Sequence, residues 1–583
     1  MGAIAGFVLL TLISYLLIVI NIPFLIIPIT IIAFIGIRKS LLTEIKKIKI
    51  KFNFQSILVL TIFAVGIAGQ LAVISPSGIF QNGDLVFWSA HGHDGPWHLA
   101  LMEEIKKGYP FQNPIFAGER LVNYHFFSDI LPAIASKYLP VSPLNLYFRI
   151  FPFFYSLFLG ASAYYLTKKL TNNFPASIWA VAFTYFAGSF GYLIGKGESV
   201  FWATQPQSSS GNPPQIISNF LVLAFLYFVL SYVKSKSKVI LMVCIMLLGT
   251  LVEFKVYAAI VLFGATLLSG LPQIALPALI LTGILYLPNS SGGASFLIFE
   301  PWWYIRTMIV EPSRLNLLDW ELRRQTYIYE HNWKRVIFLE GLGFLIFFFG
   351  NLGVRFIGIW EFIKSKTIIK WVIILSIVLP LLFLQKGVAS NTSQFLQYFI
   401  LLFGILGGIA AAKITSKFKF LAPLIIVLMI PTQVNLLKDF YSRPPLAKVS
   451  NQELMALKFI KDNTDENSVI LTPPYNPYLN TNEITPHIWD WFDTAYVSAL
   501  SGRATYMDDY EQNDIMAYDY RSRLKIKENI FESEDANIVK QGLDQTNANL
   551  VYFPKLLAPK VSLESLGLTK SFENQETEVW TTN

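Results

Sequence analysis

The chain has 583 residues, of which 54% are hydrophobic and only 14% charged, and its mean hydropathy is +0.48. Soluble domains carry about 25% charged residues, so this composition predicts a polytopic membrane protein and excludes disordered, collagen-like and coiled-coil chains. The net charge of +8 requires no nucleic-acid partner, because lysines that flank membrane spans account for it. The single cysteine, Cys244, excludes a disulfide framework and a cysteine-based zinc site.

Apolar runs in residues 1–436 reach, or nearly reach, the roughly 17–25 residues that a transmembrane helix needs. The stretch 239–288 is interrupted near Glu253 and again before Pro272, so it forms either three short passes or two long ones. The sequence therefore predicts a bundle of about 11–13 transmembrane helices. The runs are 3–20, 22–37, 54–75, 150–167, 174–195, 216–233, 239–254, 256–270, 272–288, 336–354, 370–385, 395–412 and 419–436.

The basic loops predict the orientation of these passes. Arg38–Lys51 carries six basic residues and one glutamate, which indicates the cytoplasmic side. If 239–288 crosses three times, the other basic short loops fall on that side too: Lys168-Lys169, Lys234–Lys238, Arg355–Lys370 and Lys413–Lys419. The prediction is 13 passes in the plasma membrane, with the N-terminus in the cytoplasm. The long loops 76–149 and 289–335 and the tail 437–583 then face the outside.

The tail 437–583 has its own composition. It holds 14 basic and 22 acidic residues, a net charge of −8, whereas residues 1–436 have a net charge of +16. Residue periodicity predicts a helix over Asn451–Lys461 and strands over Ser468–Thr472 and Asn549–Phe553. The predicted fold class is therefore mainly α, a polytopic membrane bundle followed by a soluble extracytoplasmic α/β domain.

The first outer loop, 76–149, gathers most of the groups that could transfer protons. Three of the four aspartates that precede residue 437 lie in it, as do four of the six histidines of the chain. Such a concentration of titratable groups is typical of a functional site. The residues are Asp84, Asp94, Asp129, His91, His93, His98 and His125.

Asp94 precedes a predicted helix that begins at Pro96, since proline is favoured in a first helical turn. One interpretation is that Asp94 only caps this helix. A functional interpretation is favoured by His93 beside it and His98 one helical turn further on. A divalent metal near His93 and Asp94 is a further alternative, although the spacing matches no helical His-x-x-x-His site.

A further group of residues in the first outer loop indicates contacts with a substrate. Glu119, Asn123, Tyr124 and His125 mix polar and aromatic side chains, which suits the hydroxyls and the apolar face of a sugar. The alternative for this segment is an interfacial helix with an aromatic belt.

Cations near the outer edge of the bundle could hold a phosphate. Lys255, close to Glu253, interrupts an apolar stretch, where an ion pair is costly and usually functional. Arg306 adds a cation in the second outer loop, and both cations are candidates for phosphate binding. Alternatively, these residues anchor helix ends or face lipid headgroups.

The segment Asp94-Gly-Pro-Trp-His98-Leu-Ala-Leu, the many spans and the outer α/β tail together resemble the GT-C superfamily. Its members are polytopic glycosyltransferases that use polyprenyl-phosphate-linked sugars, such as protein mannosyltransferases and bacterial arabinosyltransferases. Phe116-Ala-Gly-Glu119 and Asn123-Tyr-His125-Phe-Phe are similar to the continuation of that loop. The chain departs from the family where relatives carry paired acids, here Asp94 alone, and an arginine heading a late span, here Ser393-Gln394-Phe395.

The resemblance implies an inverting glycosyltransferase at the outer face of the membrane, with Asp94 as the general base. Its partners would be membrane lipids, a polyprenyl-phosphate-linked sugar and a glycan, lipid or protein acceptor, with no metal certain. Lys255 and Arg306 would match the phosphate charge, and Gln394 would donate a hydrogen bond to it. The residues expected to orient the base or line the sugar pocket are His93, Trp97, His98, Glu119, Asn123, Tyr124 and His125.

Two other function classes are open alternatives. A transporter or lipid flippase would use the outer loops as gates, but it should bury ionisable groups near the bilayer midplane in repeated halves, and no internal repeat is visible in the sequence. A metal-dependent lipid hydrolase would need the histidines of the first outer loop to bind a metal ion.

Overall fold

The computed structural model describes residues 1–47, 53–291 and 297–582. Part of the predicted basic loop Arg38–Lys51 and residues 292–296 of the second outer loop lie outside these ranges. Each predicted apolar run carries a helix, and 239–288 forms three separate helices. The helices are Gly2–Val19, Ile26–Lys47, Phe54–Ala72, Phe151–Thr171, Phe174–Phe186, Pro213–Ser235, Lys238–Phe254, Val256–Leu268, Pro272–Tyr286, Trp333–Leu352, Thr367–Leu382, Leu396–Lys417 and Leu421–Tyr441.

The protein is a multi-pass membrane protein. Within the described ranges, eight helices are long and apolar enough to cross a membrane, judged by length and composition. Other apolar helices, such as Phe174–Phe186 and Val256–Leu268, are shorter than the roughly 20 residues of a full span. The predicted helical bundle is confirmed, but several predicted passes are short because polar residues and prolines, such as Lys255 and Pro272, separate them.

Helix Leu396–Lys417 forms the centre of the bundle, and its most apolar stretch is completely buried. It packs against Phe174–Phe186 because small residues face each other at the crossing. A Cβ atom added at Gly408 would lie only 2.4 Å from the Cα of Ala180. Such small residues let the two backbones approach closely, as is usual between membrane helices.

The parts outside the bundle contain short helices and strands. In the outer loops the helices are His91–Lys107, Phe127–Tyr138, Trp303–Val310 and Leu318–Tyr329, and in the tail they are Asn451–Asn463, Ile488–Trp491, Tyr496–Ser501, Tyr510–Ile515, Tyr520–Glu532 and Ala536–Thr546. The strands are β1 (Ile79–Gln81), β2 (Asp84–Phe87), β3 (Leu297–Phe299), β4 (Phe383–Gln385), β5 (Ala447–Val449), β6 (Val469–Leu471), β7 (Ala504–Thr505), β8 (Leu550–Pro554), β9 (Thr569–Glu573) and β10 (Thr577–Thr581).

The tail is an α/β unit, as predicted. Its five-stranded sheet has the order β7-β6-β8-β10-β9. Strand β6 runs parallel to β7 and β8, whereas β10 is antiparallel to β8 and β9. Strands β6 and β8 and helix Asn451–Asn463 confirm the three tail elements predicted from periodicity.

The tail packs on the first outer loop. Strand β5 pairs antiparallel with β2 of that loop, and the Asp84 carboxylate accepts a hydrogen bond of 3.0 Å from the Asn451 backbone N–H. Helix Tyr496–Ser501 packs against His91–Lys107. A Cβ atom at Gly92 would lie 2.6 Å from the Trp491 ring. The helix that carries Asp94 is therefore covered by the tail.

Candidate active site

Helix His91–Lys107 begins five residues before the predicted start at Pro96. Ala90 is the N-cap, and its carbonyl accepts hydrogen bonds from the His93 and Asp94 N–H groups. The interpretation of Asp94 as a cap is therefore wrong, because Asp94 lies inside the first turn. Pro96 is the sixth residue of this helix, so it lies beyond the first turn and cannot donate the hydrogen bond that the Gly92 carbonyl would otherwise accept.

Asp94 faces a cavity of about 180 Å³, which we call the Asp94 cavity. Its side chain is 32% exposed, so the carboxylate is open to a ligand. The first outer loop, the junction at Lys255, the segment around Gln394 and the tail all contribute to the wall. Nine of the eleven predicted site residues lie on it: His93, Asp94, Trp97, His98, Asn123, Tyr124, His125, Lys255 and Gln394.

The other two predicted site residues, Glu119 and Arg306, are exposed and do not line this cavity. Arg306 lies on helix Trp303–Val310. Arg314, which follows that helix, instead lines a neighbouring chamber.

His93 connects Asp94 to the tail. Its Nδ1 lies 3.3 Å from Asp94 Oδ1, and its Nε2 lies 3.0 Å from Oδ1 of Asp509. Burial alone would lower the pKa of His93, but Asp509 and Asp94 outweigh burial and hold that pKa well above its usual 6.5. Burial would likewise raise the pKa of Asp94, yet His93, followed by His98 and His91, lowers it. At neutral pH the pair is an imidazolium beside a carboxylate.

The tail supplies acidic residues that sequence reasoning did not select. Asp509 is buried, and its Oδ2 has no hydrogen-bond partner in the described ranges. Glu511 lines the Asp94 cavity, and burial, with Asp509 and Asp94 nearby, raises its pKa. The adjacent acids Asp508-Asp509 were the available signal, but nothing local in the sequence connects them to a loop 416 residues earlier.

A second histidine–carboxylate pair lies behind the first. His98 Nδ1 is 3.0 Å from both carboxylate oxygens of Asp129, and the Ser128 hydroxyl donates to Asp129 Oδ2 at 3.0 Å. Asp129 is fully buried. Because its carboxylate accepts these bonds, Asp129 fixes the ring of His98, which also stacks on Tyr147 with centroids 5.4 Å apart.

Lys255 is the cation of the Asp94 cavity. It is 4% exposed, yet within the described part of the chain its ammonium has no ion pair and no side-chain hydrogen bond. The predicted pairing with Glu253 is not formed, since both Glu253 carboxylate oxygens are buried without a partner in the same ranges. His125 is held neutral, because burial, followed by Lys255 and His98, lowers its pKa well below 6.5.

Asn123 joins three parts of the chain at the cavity wall. Its backbone N–H donates to the Asn289 carbonyl at 2.7 Å, and its side-chain amide donates to the Met516 carbonyl at 2.8 Å. Its φ of 59° is a left-handed conformation that asparagine tolerates better than most residues. Asn123 therefore holds the second outer loop and the tail at the cavity.

The described residues place one triad of metal-ligand type, Glu453, His487 and Glu576, within 4.8 Å, and it lies in the tail. Its members also serve a helix cap: Glu453 completes the capping box of Asn451–Asn463, and His487 Nδ1 lies 2.8 Å from Glu453 Oε2. At Asp94, both ring nitrogens of His93 face carboxylates. His93 would have to lose a ring proton before it could bind a metal ion.

The His93–Asp509 contact should make stability depend on pH. His93 has a higher pKa in the folded than in the unfolded protein, so its protonation stabilises the fold. This contribution is complete below the pKa of the unfolded state, near 6.5, and is lost as the pH rises through the pKa of the folded state. At or below pH 6.5 we expect the free energy of unfolding of the wild type to be about 1.5–3 kcal/mol larger than that of Asp509→Asn. This difference in stability should become smaller at higher pH. Thermal unfolding in detergent from about pH 5 to about pH 10 measures this.

The matched variant for that experiment is His93→Gln, which cannot titrate. In the His93→Gln background, the effect of Asp509→Asn should show no corresponding pH dependence. A wild-type difference that stays constant across the pH range would contradict the assignment of a charged His93–Asp509 contact.

No protein-family profile matches the chain, and neither does any curated protein. The crystal structure of the apo oligosaccharyltransferase of Archaeoglobus fulgidus aligns with a TM-score of 0.51 and 11% identity, over 85% of this chain and 69% of that chain. The same enzyme with an inhibitory peptide and a dolichol-phosphate aligns with a TM-score of 0.49 and 12% identity, over the same shares. At such identity the likeness concerns the fold. The chain therefore shares the fold of this oligosaccharyltransferase over most of its length, which agrees with the fold that the resemblance implied.

Proposed function

We propose that this protein is an inverting membrane glycosyltransferase that moves a sugar from a polyprenyl-phosphate-linked donor to an acceptor hydroxyl. The observation that carries the proposal is a single cavity that holds an open carboxylate, Asp94, and a buried ammonium, Lys255. An anionic leaving group and a proton donor can therefore be bound side by side. The fold shared with an oligosaccharyltransferase supports the same class of reaction.

Lys255 is suited to the donor phosphate. It is the N-cap residue of helix Val256–Leu268, whose first N–H groups have no partner within the helix and favour an anion. Asp94 is close enough to act electrostatically on its ammonium. A buried cation in this position lowers its own desolvation cost by binding an anion. Gln394 lies on the same wall, and its amide N–H group, which donates to Asn391 at 3.4 Å, is the part of the side chain that can donate to a phosphate.

In the proposed step, the acceptor oxygen bonds to the anomeric carbon while the bond from that carbon to the donor's phosphate oxygen breaks. The electron pair of the broken bond stays on the phosphate beside Lys255, and the acceptor proton passes to Asp94. A carboxylate with a lowered pKa suffices as base, because the hydroxyl proton becomes acidic as the new bond forms. Attack opposite the phosphate inverts the anomeric centre.

The remaining cavity residues position these two groups. His93 holds one oxygen of Asp94 and leaves the other for the acceptor. His98, fixed by Asp129, and neutral His125 offer ring nitrogens to sugar hydroxyls. Trp97 and Tyr124, whose rings meet edge to face at 5.0 Å, provide an aromatic wall for the sugar.

We also propose that the site lies at the outer face of the plasma membrane. The basic short loops of the sequence favour this orientation, which places the acidic tail outside the cell. A reporter enzyme fused after the tail should be active only in the external compartment, and cytoplasmic activity would reverse the proposed orientation.

Mass spectrometry of lipids that copurify with the protein tests the donor class. We expect a polyprenyl phosphate, free or glycosylated, in wild type, and a much smaller amount in Lys255→Met. Recovery of phospholipids alone from several detergents would favour the flippase alternative. A copurified lipid that is unaffected by Lys255→Met would place the donor elsewhere.

A further inference from the structure

Two further chambers adjoin the Asp94 cavity. The polar chamber, of about 320 Å³, shares Asn212, Asn391 and Gln394 with the Asp94 cavity. The aromatic chamber, of about 650 Å³, shares Trp202, Arg314 and Ser390 with the polar chamber. Glu511 borders both the aromatic chamber and the Asp94 cavity. The shared residues therefore place the three spaces next to one another, with Asp94 in the wall of the Asp94 cavity.

The polar chamber is lined with hydroxyl and amide side chains, and Arg314 is its one charged residue within the described ranges. Gln215 and Gln397 are 3% and 4% exposed, and the Oε1 atom of each is buried without a partner in those ranges. Together the hydroxyl and amide side chains of this lining can donate and accept hydrogen bonds, so the wall is complementary to a polyhydroxylated molecule.

Trp202 stands between the two chambers and is 7% exposed. Its indole N–H also has no partner in the described ranges. Its ring lies 5.1 Å from that of Trp303, and the Arg314 guanidinium carbon lies 3.1 Å from the Trp202 centroid. The φ of Trp202 is 82°, a conformation that bulky residues rarely adopt. Such strain is usually retained where the side chain has a function.

The aromatic chamber lies between the second outer loop and the tail. Tyr510 and Tyr520 of the tail, with ring centroids 6.1 Å apart, face it together with Trp303. Its carboxylates are Glu311, Glu511 and Asp514. Aromatic rings stack on the C–H face of a pyranose, and carboxylates accept from pairs of hydroxyls. The chamber wall carries three carboxylates and one guanidinium, that of Arg314, so its negative net charge disfavours an anionic ligand.

We propose that the polar and aromatic chambers bind a neutral saccharide, which is the acceptor and presents a hydroxyl to Asp94. This inference rests on the proposed glycosyl transfer. The hydroxyl, amide and aromatic side chains of the two chambers suit a ligand rich in hydroxyls, and Lys255, the cation assigned to the lipid phosphate, lines neither chamber. Both chambers fall in the usual size range of small-molecule sites, about 300–1,000 Å³, which leaves room for more than one sugar unit.

Saturation-transfer NMR on the full chain in detergent tests this proposal. The probes are maltotriose, cellotriose, mannotriose and chitotriose, with trigalacturonate as the anionic comparison. At least one neutral trisaccharide should bind, and Trp303→Ala and Gln397→Ala should each weaken it at least about tenfold. Trp303→Phe should retain most of the affinity. Tyr478→Ala, which removes a 94% exposed aromatic ring, is the matched control and should have no effect.

The outcomes separate this inference from the proposed function. No binding of any neutral trisaccharide, preferred binding of trigalacturonate, or binding that is indifferent to both Trp303→Ala and Gln397→Ala would overturn the saccharide site. Transfer to a peptide without saccharide binding would overturn the saccharide acceptor and leave the transferase intact. Chamber-dependent saccharide binding in a protein that neither binds a polyprenyl phosphate nor transfers sugar would overturn the transferase instead.

Discussion

Replacing Asp94 with asparagine is expected to lower turnover by roughly 10²–10⁴-fold, the usual contribution of a general base, while the protein stays folded. Asparagine has nearly the same shape, and its carbonyl oxygen can still accept a bond from His93. It has no basicity, so the acceptor proton has no destination. The measurement is single-turnover sugar transfer from a polyprenyl-phosphate-linked donor, with thermal unfolding as the test of folding.

Two substitutions in the same loop serve as comparisons. Asp84→Asn should remain near wild type, because an asparagine carbonyl can also accept from the Asn451 N–H. Asp129→Asn should reduce transfer less than Asp94→Asn, since Asp129 acts through His98. If Asp129→Asn abolishes transfer and Asp94→Asn does not, the base belongs to the His98–Asp129 pair.

Replacing Lys255 with methionine should weaken donor binding by about 1.5–3 kcal/mol, or about 10- to 150-fold, the usual range for hydrogen bonds to charged groups. Methionine keeps most of the length of the chain but removes the charge, so the phosphate loses its counter-ion in a buried setting. The measurement is calorimetric titration of the detergent-solubilised protein with a polyprenyl phosphate.

The comparison variants separate charge from shape and from position. Lys255→Arg keeps the charge and should bind the donor better than Lys255→Met does. Arg306→Met removes an exposed cation outside the Asp94 cavity and should leave affinity unchanged. If Lys255→Met leaves donor affinity unchanged and Arg306→Met lowers it, the phosphate-binding cation lies in the second outer loop.

The runs of apolar residues in the sequence predicted the helical bundle well, because the length of such a run is a property of neighbouring residues. It also selected most of the Asp94 cavity, since a single loop contributes His93, Asp94, Tyr124 and their neighbours. The start of the helix at His91 was missed because Gly92, Gly95 and Pro96 suggest a loop. In the structure these residues lie in a helix because the tail covers it, with Trp491 packed directly against Gly92.

The parts that sequence reasoning missed depend on contacts between distant segments. Asp509 reaches His93 across 416 residues, and no periodicity or spacing encodes such a contact. Arg306 and Arg314 are both cations of one loop, and only the path of the chain after helix Trp303–Val310 makes Arg314 the one that lines a chamber. The contribution of the tail to the site is therefore a tertiary property.

The pairing of β2 with β5 sets an order of events during synthesis. Strand β2 belongs to the first outer loop, but its partner β5 is made only after the whole membrane bundle, and the Asp509 partner of His93 comes later still. Contacts at such separation form slowly, because a long loop must close first. The helix that carries Asp94 therefore stays uncovered until the tail has been synthesised. A chain that ends before residue 509 would keep its membrane helices but lack the Asp509 partner of His93 and the part of the Asp94 cavity wall that Glu511 supplies.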